Sequence, residues 1–305
     1  MKKLLLAAMT ALLLSVGAAR AGPYEDGIAY YQRGDYANAL QIFRSLAAQG
    51  NASAQFNLGA MYLKGQGVKQ DYAEAIKWFR LAVVQGDASA QFNLGVMYDL
   101  GQGVTQDYVE AVKWYRLAAT QGDDRAQSTL GAMYFTARGV PQDYTEAAKW
   151  FRLAAAQGGA FAQYCLGEMY RDGQGVPQDY AEAAKWFRLA AAQGDVSAQF
   201  NLGLAYHDGQ GLTQDYAEAV KWFRLAAAEG DTSAQVNLSV IYFLAQGVVQ
   251  DFVRAHMWVN LAGVSGDAKS VKLRDALAAI MTPQQIAEAQ KLARECQQRN
   301  FKGCD

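Results

Sequence analysis

The sequence predicts an all-α fold, a right-handed α-solenoid of helix-turn-helix repeats. Three observations carry this expectation. An Asp-aromatic pair recurs in steps of 36 residues, from Asp35-Tyr36 through Asp71-Tyr72 and its successors to Asp251-Phe252. All six tryptophans, Trp78, Trp114, Trp150, Trp186, Trp222 and Trp258, share one place in that period. Each period holds two stretches of helical apolar spacing and no strand-like alternation. One helix pair cannot bury its stripe alone, so stacked copies must share a continuous core.

Residues 1–21 read as a cleaved leader. Lys2-Lys3 precede the apolar run Leu4–Val16, and Ala19-Arg20-Ala21 offers a small-x-small cleavage site. The mature chain then starts at Gly22 and is periplasmic or secreted. No later stretch is long and apolar enough to span a membrane. The mature chain carries 25 basic side chains, the 28 of the full chain less Lys2, Lys3 and Arg20, against 29 acidic ones. That mild acidity excludes a nucleic-acid footprint.

The opening unit, 22–50, is short. Tyr30 to Ala39 is nine residues, where Tyr62 to Ala75 in the next unit is thirteen. Six full units follow over 51–266, and an unlike segment, 267–305, reads as capping helices and tail. In the first full unit a helix A over Ala52–Leu63 aligns Ala54, Leu58, Met61 and Tyr62 on one face. Gly59 beside that stripe weakens the helix by about 1 kcal/mol relative to alanine. Its recurrence at 95, 131, 167 and 203 predicts another backbone close by. Helix B starts at Asp71, an N-cap, with Glu74 expected to bond back in a capping box. Ala75, Trp78, Phe79 and Ala82 form its expected buried stripe, and Glu74 can pair with Lys77 outside it. Gln85-Gly86-Asp87 ends one helix and caps the next. The Gly-Gln-Gly-Val stretch before each helix B resembles a phosphate loop. It follows a helix and recurs six times, with Ala137 and Ala245 replacing the first glycine twice, so it reads as punctuation.

Ala54, Leu58, Gly59, Tyr62, Gly65, Gly67 and Val68, then Ala75, Trp78, Ala82 and Gly86, resemble the Sel-one-like repeat family, a tetratricopeptide-like class. The match recurs six times in register over 51–266. The opening unit is more similar to an ordinary tetratricopeptide hairpin, and Met281–Cys296 to the helix that closes such arrays. The resemblance implies a protein or extended peptide as partner, bound on the concave face, which helix A lines in that class.

Rotation of about 100° per residue places positions 53, 56, 60, 63 and 64 opposite Leu58. Position 56 and its equivalents give Phe56, Phe92, Ser128, Tyr164, Phe200 and Val236. The helix end gives Lys64, Asp99, Phe135, Arg171, Asp172, His207 and Asp208. These aromatics are expected to face outward between charges, as a peptide groove requires. Position 57 gives Asn57, Asn93, Asn201 and Asn237, with Thr129 and Cys165 between them. In similar superhelical arrays such asparagines bond a peptide backbone; the alternative is a bond to a neighbouring turn.

No convergent catalytic set is evident, so the chain is expected not to be an enzyme and to need no cofactor or metal. His207 and His256 lie in different helices, and His207-Asp208 reads as a solvated helix end. Cysteine-rich relatives have been linked to β-lactam chemistry, which keeps a secreted hydrolase of β-lactam or cell-wall substrates as the alternative. Cys296 and Cys304, eight positions apart, are a candidate disulfide, with Cys165 left single and buried. The Lys77/Arg80 series reads as a solvated outer face offset by the Glu74 series. The expected function is a non-catalytic scaffold or adaptor of the bacterial cell envelope, regulating a membrane sensor or an assembly complex. Oligomeric state stays open.

Overall fold

The computed structural model of the chain describes residues 22–304; the expected leader and its cleavage point lie outside them. Among the described residues there are sixteen α-helices, one short 3-10 turn and no strand. They form two compact units that part between Asp123 and Asp124. The first unit holds α1 (Pro23–Gln32), α2 (Tyr36–Ala48), α3 (Ala52–Lys64), α4 (Tyr72–Val84), α5 (Ala88–Leu100) and α6 (Tyr108–Thr120). The second holds α7 (Asp124–Phe135), α8 (Tyr144–Ala156), α9 (Ala160–Asp172), α10 (Tyr180–Ala192), α11 (Val196–Asp208), α12 (Tyr216–Ala228), α13 (Thr232–Leu244), α14 (Phe252–Ala262), α15 (Ala268–Ala278) and α16 (Pro283–Gln298). Through α14, odd-numbered helices are helix A of a repeat and even-numbered ones helix B. No described helix is long and apolar enough to cross a membrane.

Each helix B is launched by an aspartate. Asp71 Oδ1 accepts from the Glu74 amide at 3.0 Å, and Asp107, Asp143, Asp179 and Asp215 repeat this. The capping box expected there is only half formed. The Asp71 amide already donates to Tyr62 O, 3.0 Å away, at the end of helix A. The Glu74 carboxylate turns outward and pairs with Lys77 at 3.1 Å. A complete box occurs instead at the start of α16, between Thr282 and Gln285.

The recurrent glycine of helix A faces a ring, and at Gly59 the expected backbone neighbour stands beside it, Ala75 O lying 3.2 Å from where a Cβ would be. A Cβ on Gly59 would lie 2.8 Å from the Phe79 ring. The same collision arises at Gly95 with Tyr115, Gly131 with Phe151, Gly167 with Phe187 and Gly203 with Phe223, at 2.5–2.8 Å. The short opening unit repeats it with Gly27 and Phe43 at 2.7 Å. In the last unit both partners change together, to Ser239 and Val259. A closer backbone contact lies in the loop, where a Cβ on Gly67 would come within 2.6 Å of Tyr36 O.

These rings, not the tryptophans, are the buried aromatic centre of each helix B. Phe79, Tyr115, Phe151, Phe187 and Phe223 are almost wholly inaccessible, whereas only Trp258 of the six tryptophans is buried. One residue is a 100° rotation, so Trp78 points sideways from Phe79. It packs on the cluster that Phe43 of the preceding helix B forms with Ala54, Leu58 and Met61 of its own helix A. Trp114, Trp186 and Trp222 likewise each pack on a cluster shared by the preceding helix B and their own helix A. These tryptophans therefore border the seams between repeats, while Trp258 lies in the core of the last one.

At the C-terminus α15 and α16 cover the last repeat. Cys296 and Cys304 are joined in a disulfide, with Cα atoms 5.1 Å apart, and both are buried in the cluster containing Leu277, Ala289 and Ala293. His256 occupies a core position that is Ile76, Val112 or Val220 in earlier repeats. It is buried, its Nδ1 has no hydrogen-bond partner, and Arg274 and Asp275 face it. Burial, then the Arg274 charge, hold its pKa below the ordinary 6.5, against a smaller opposing pull from Asp275.

Two expectations follow. Ala245 ends α13 in the left-handed region, φ 57°, where four sister repeats have glycine and one has Ala137. Ala245→Gly should raise unfolding free energy in denaturant by about 1 kcal/mol, the strain of an alanine there. For His256, the folded state holds fewer protons than the unfolded chain between its depressed pKa and 6.5. Stability is then present above pH 6.5 and falls as the pH drops through that window. Melting curves of wild type and His256→Val should diverge in favour of the variant as pH falls below 6.5.

Candidate functional site

The candidate face is built on helix A, and its position is set by a side chain that the apolar pattern does not reveal. Gln55 is buried and donates to Ala47 O, at the end of the preceding helix B, at 3.2 Å. It accepts from Gln85, at the end of its own helix B, at 2.8 Å. Gln91, Gln127 and Gln163 accept in the same way from Gln121, Gln157 and Gln193. The recurrence of Gln at 55, 91, 127, 163, 199 and 235 was the available signal. A buried amide is retained only where both ends are satisfied. In one repeat Glu229 stands where the donor should be, and Gln199 Oε1 is left without a partner.

Next to this amide, the aromatics of position 56 lean onto the core rather than face outward. Phe56 lies 5.9 Å from Phe79, Phe92 5.6 Å from Tyr115, Tyr164 6.1 Å from Phe187 and Phe200 5.8 Å from Phe223, ring centre to ring centre. Each is half-buried. Each tilted ring pair buries part of the surface ring against the core.

The asparagines are also drawn inward. Asn57, Asn93, Asn201 and Asn237 each donate to the backbone oxygen four residues earlier, at 2.8–2.9 Å. Asn57 also donates to Tyr24 Oη. Asn201 is buried and accepts from Arg171 at 2.8 Å. The acceptor oxygens of Asn57, Asn93 and Asn237 are what this row offers a partner.

The ends of the A helices are more open. Lys64 is exposed, while Asp99, Phe135, Arg171 and His207 are half-buried. Arg171 is braced by Glu168 at 2.6 Å and Asp172 at 2.7 Å, and this ion pairing pulls the Asp172 carboxyl below its usual range. His207 is not the solvated end expected of it. Its ring bonds Asp208 at 2.6 Å and Gln246 of a later loop at 3.1 Å, and stacks edge-on against Tyr216.

Between α7 and α9 lies an apolar pocket of about 220 Å³, lined by Ala132, Phe135, Phe151, Phe161, Tyr164 and Cys165 among others. Cys165 carries a free thiol, pushed up to about 12 by burial and by the nearby Glu168 and Asp195 charges, so it is no nucleophile at neutral pH. Among the described residues no group of three or more His, Cys, Asp or Glu side chains is placed to hold a metal. On the opposite face Lys77, Lys113, Lys149, Lys185 and Lys221 are each paired with a glutamate three residues earlier. Arg80, Arg152, Arg188 and Arg224 each donate to a tyrosine of the following repeat. That face is internally neutralised and braced.

Comparison with known proteins places this geometry. The Sel1 repeat pattern matches residues 15–51, 52–87, 88–123, 124–159, 160–195, 196–231 and 232–264. The chain is similar to a Sel1 repeat protein from Oxalobacter formigenes of known crystal structure, at 35% identity and a TM-score of 0.69, covering 80% of this chain and 97% of that one. It is also similar to a protective antigen of uropathogenic Escherichia coli with an SLR fold, at 29% identity over 92% of this chain and 77% of that one, TM-score 0.40. An immunity protein from Pseudomonas aeruginosa matches at 20% identity over 75% and 83%, TM-score 0.40. No curated protein matches the chain.

The unpartnered Gln199 oxygen supplies a test of the glutamine relay. Glu229→Gln restores the donor found in the other repeats and should stabilise the fold by about 1 kcal/mol, the net worth of one buried hydrogen bond. Chemical denaturation at pH 7 measures it, and no gain would remove the relay from the account.

Proposed function

The chain belongs to the Sel1 repeat family, whose members generally act as protein-interaction scaffolds, and from that premise we propose that it is a non-catalytic scaffold of the bacterial cell envelope. It holds a protein or extended peptide along the A-helix face and so regulates a membrane sensor or an assembly complex. In this reading 1–21 is the leader, 22–50 opens the array, 51–266 is the binding array and 267–305 closes it.

One observation carries the choice of face. The core ring, the caps and the lysine–glutamate pairs recur from repeat to repeat, whereas at the A-helix ends one position reads Leu63, Asp99, Phe135, Arg171, His207 and Phe243, and the next opens with Lys64. A surface that individual repeats change independently, on a scaffold they keep, is where recognition is written. The Cys296–Cys304 disulfide accords with an oxidising compartment. No observation favours the hydrolase alternative.

Site-specific photo-crosslinking in the parent cells tests this. Crosslinking residues at Lys64, Asp99 or Phe135 should yield a common adduct, and residues at Lys77, Lys113 or Lys149 should yield none. Equal adducts from both sets would move the binding surface off the A-helix face.

A further inference from the structure

The chain's departures from its own repeat converge on one place. In five of the seven repeats the core ring of helix B is covered by an aromatic ring from helix A. The pairs are Tyr24–Phe43, Phe56–Phe79, Phe92–Tyr115, Tyr164–Phe187 and Phe200–Phe223, at 5.6–6.1 Å. In the last repeat both members are valines, Val236 and Val259, so no ring needs a cover. Only one repeat keeps the core ring without a ring from its own helix A: Ser128 stands there, and Phe151, still only 1% exposed, is met by Phe161 of the next helix A instead.

Two further exchanges shape the same spot. Phe161 replaces the serine of most sister repeats, Ser53, Ser89, Ser197 and Ser233, and approaches Phe151 edge-on at 6.1 Å while staying 52% exposed. Cys165 replaces the recurrent asparagine and turns a polar wall apolar. The outcome is the pocket of about 220 Å³ formed over Phe151 by Ala132, Phe135, Phe161, Tyr164 and Cys165, with Thr136 and Glu168 completing its lining. A dry cavity of roughly 150 Å³ holds a benzene-sized guest, so this one admits a phenol or an indole.

We infer that this pocket is the specificity pocket of the binding face and takes one aromatic side chain, phenylalanine or tyrosine in kind, from an extended partner segment. The incoming ring packs among Phe135, Phe161 and Tyr164 in the space left by the missing ring at Ser128, beside a Phe151 that Phe161 already shields. The inference rests on the scaffold reading for the partner's nature, while the pocket's preference for an aromatic ring is tested without any partner.

The probes are p-cresol and, as its neutral saturated analogue, 4-methylcyclohexanol, titrated into the isotope-labelled mature chain and followed by NMR. Cresol should give saturable shifts confined to residues around 132–168, and 4-methylcyclohexanol none of comparable affinity. Ser128→Phe restores the sister repeats' own ring, and Ala132→Leu narrows the wall with the residue found at Leu204 in another repeat. Either variant should fold with an unchanged or higher melting temperature and bind cresol roughly tenfold more weakly or worse, as when a buried ring's place is already taken. Absence of saturable cresol shifts in wild type overturns the inference. So does equal or tighter binding of 4-methylcyclohexanol, or cresol binding that survives in a well-folded variant. Failed cresol binding with crosslinks still on the A-helix face removes the pocket alone. Cresol binding with crosslinks only on the lysine face keeps the pocket's preference for a ring and overturns its place in partner recognition.

Discussion

The structure depends on a glycine opposite a ring. Helix A and helix B of each repeat meet where Gly59 or its equivalent receives Phe79 or its equivalent, and no β-carbon fits between them. Helix propensity alone disfavours glycine at that point by about 1 kcal/mol. The residue is there because burying an aromatic side chain at close helix contact is worth more, roughly 1.5–3 kcal/mol for the ring. The pairing of Ser239 with Val259 shows the same rule satisfied with other sizes. The opening unit keeps it with Gly27 and Phe43 despite a turn four residues shorter.

Everything else is arranged around that contact. The buried glutamines tie helix A to the helix B on either side of it. Trp78, Trp114, Trp186 and Trp222 border the seams between repeats, and the arginine–tyrosine bonds cross them. A position-56 aromatic covers the ring from the far side. Because each of these tasks recurs, a residue that abandons one stands out. Ser128, Phe161 and Cys165 abandon theirs around Phe151, and a pocket opens there. Glu229 abandons its amide donor and leaves Gln199 unsatisfied.

Much of this was legible in the sequence. A period of 36 with two helical stripes leaves little choice but stacked hairpins, and the helix ends follow from aspartate caps and glycine stops. The Sel-one-like resemblance held over the whole array. Finer assignments were harder for physical reasons. Trp78 and Phe79 are adjacent, and a stripe does not say which of two large neighbours points inward. Glu74 had the spacing of a capping box, but whether its target amide was free depended on a bond to Tyr62 in the other helix. The asparagine row had the right chemistry for a peptide, yet an amide four residues from a helical carbonyl can satisfy itself locally. Position 56 lay opposite Leu58 on a helical wheel, but a long ring can lean across the gap to the core, and it does. The pocket was present only as three unrelated-looking exchanges until the fold brought them together.

The glycine–ring contact is tested most directly by a double-mutant cycle of unfolding free energies with Gly167→Ala and Phe187→Val. In an unobstructed helix, alanine for glycine stabilises by about 1 kcal/mol. Here a β-carbon would stand 2.5 Å from the Phe187 ring. The account predicts that Gly167→Ala destabilises the wild-type chain and becomes neutral or stabilising once Phe187 is valine. A stabilising effect in both backgrounds would contradict it.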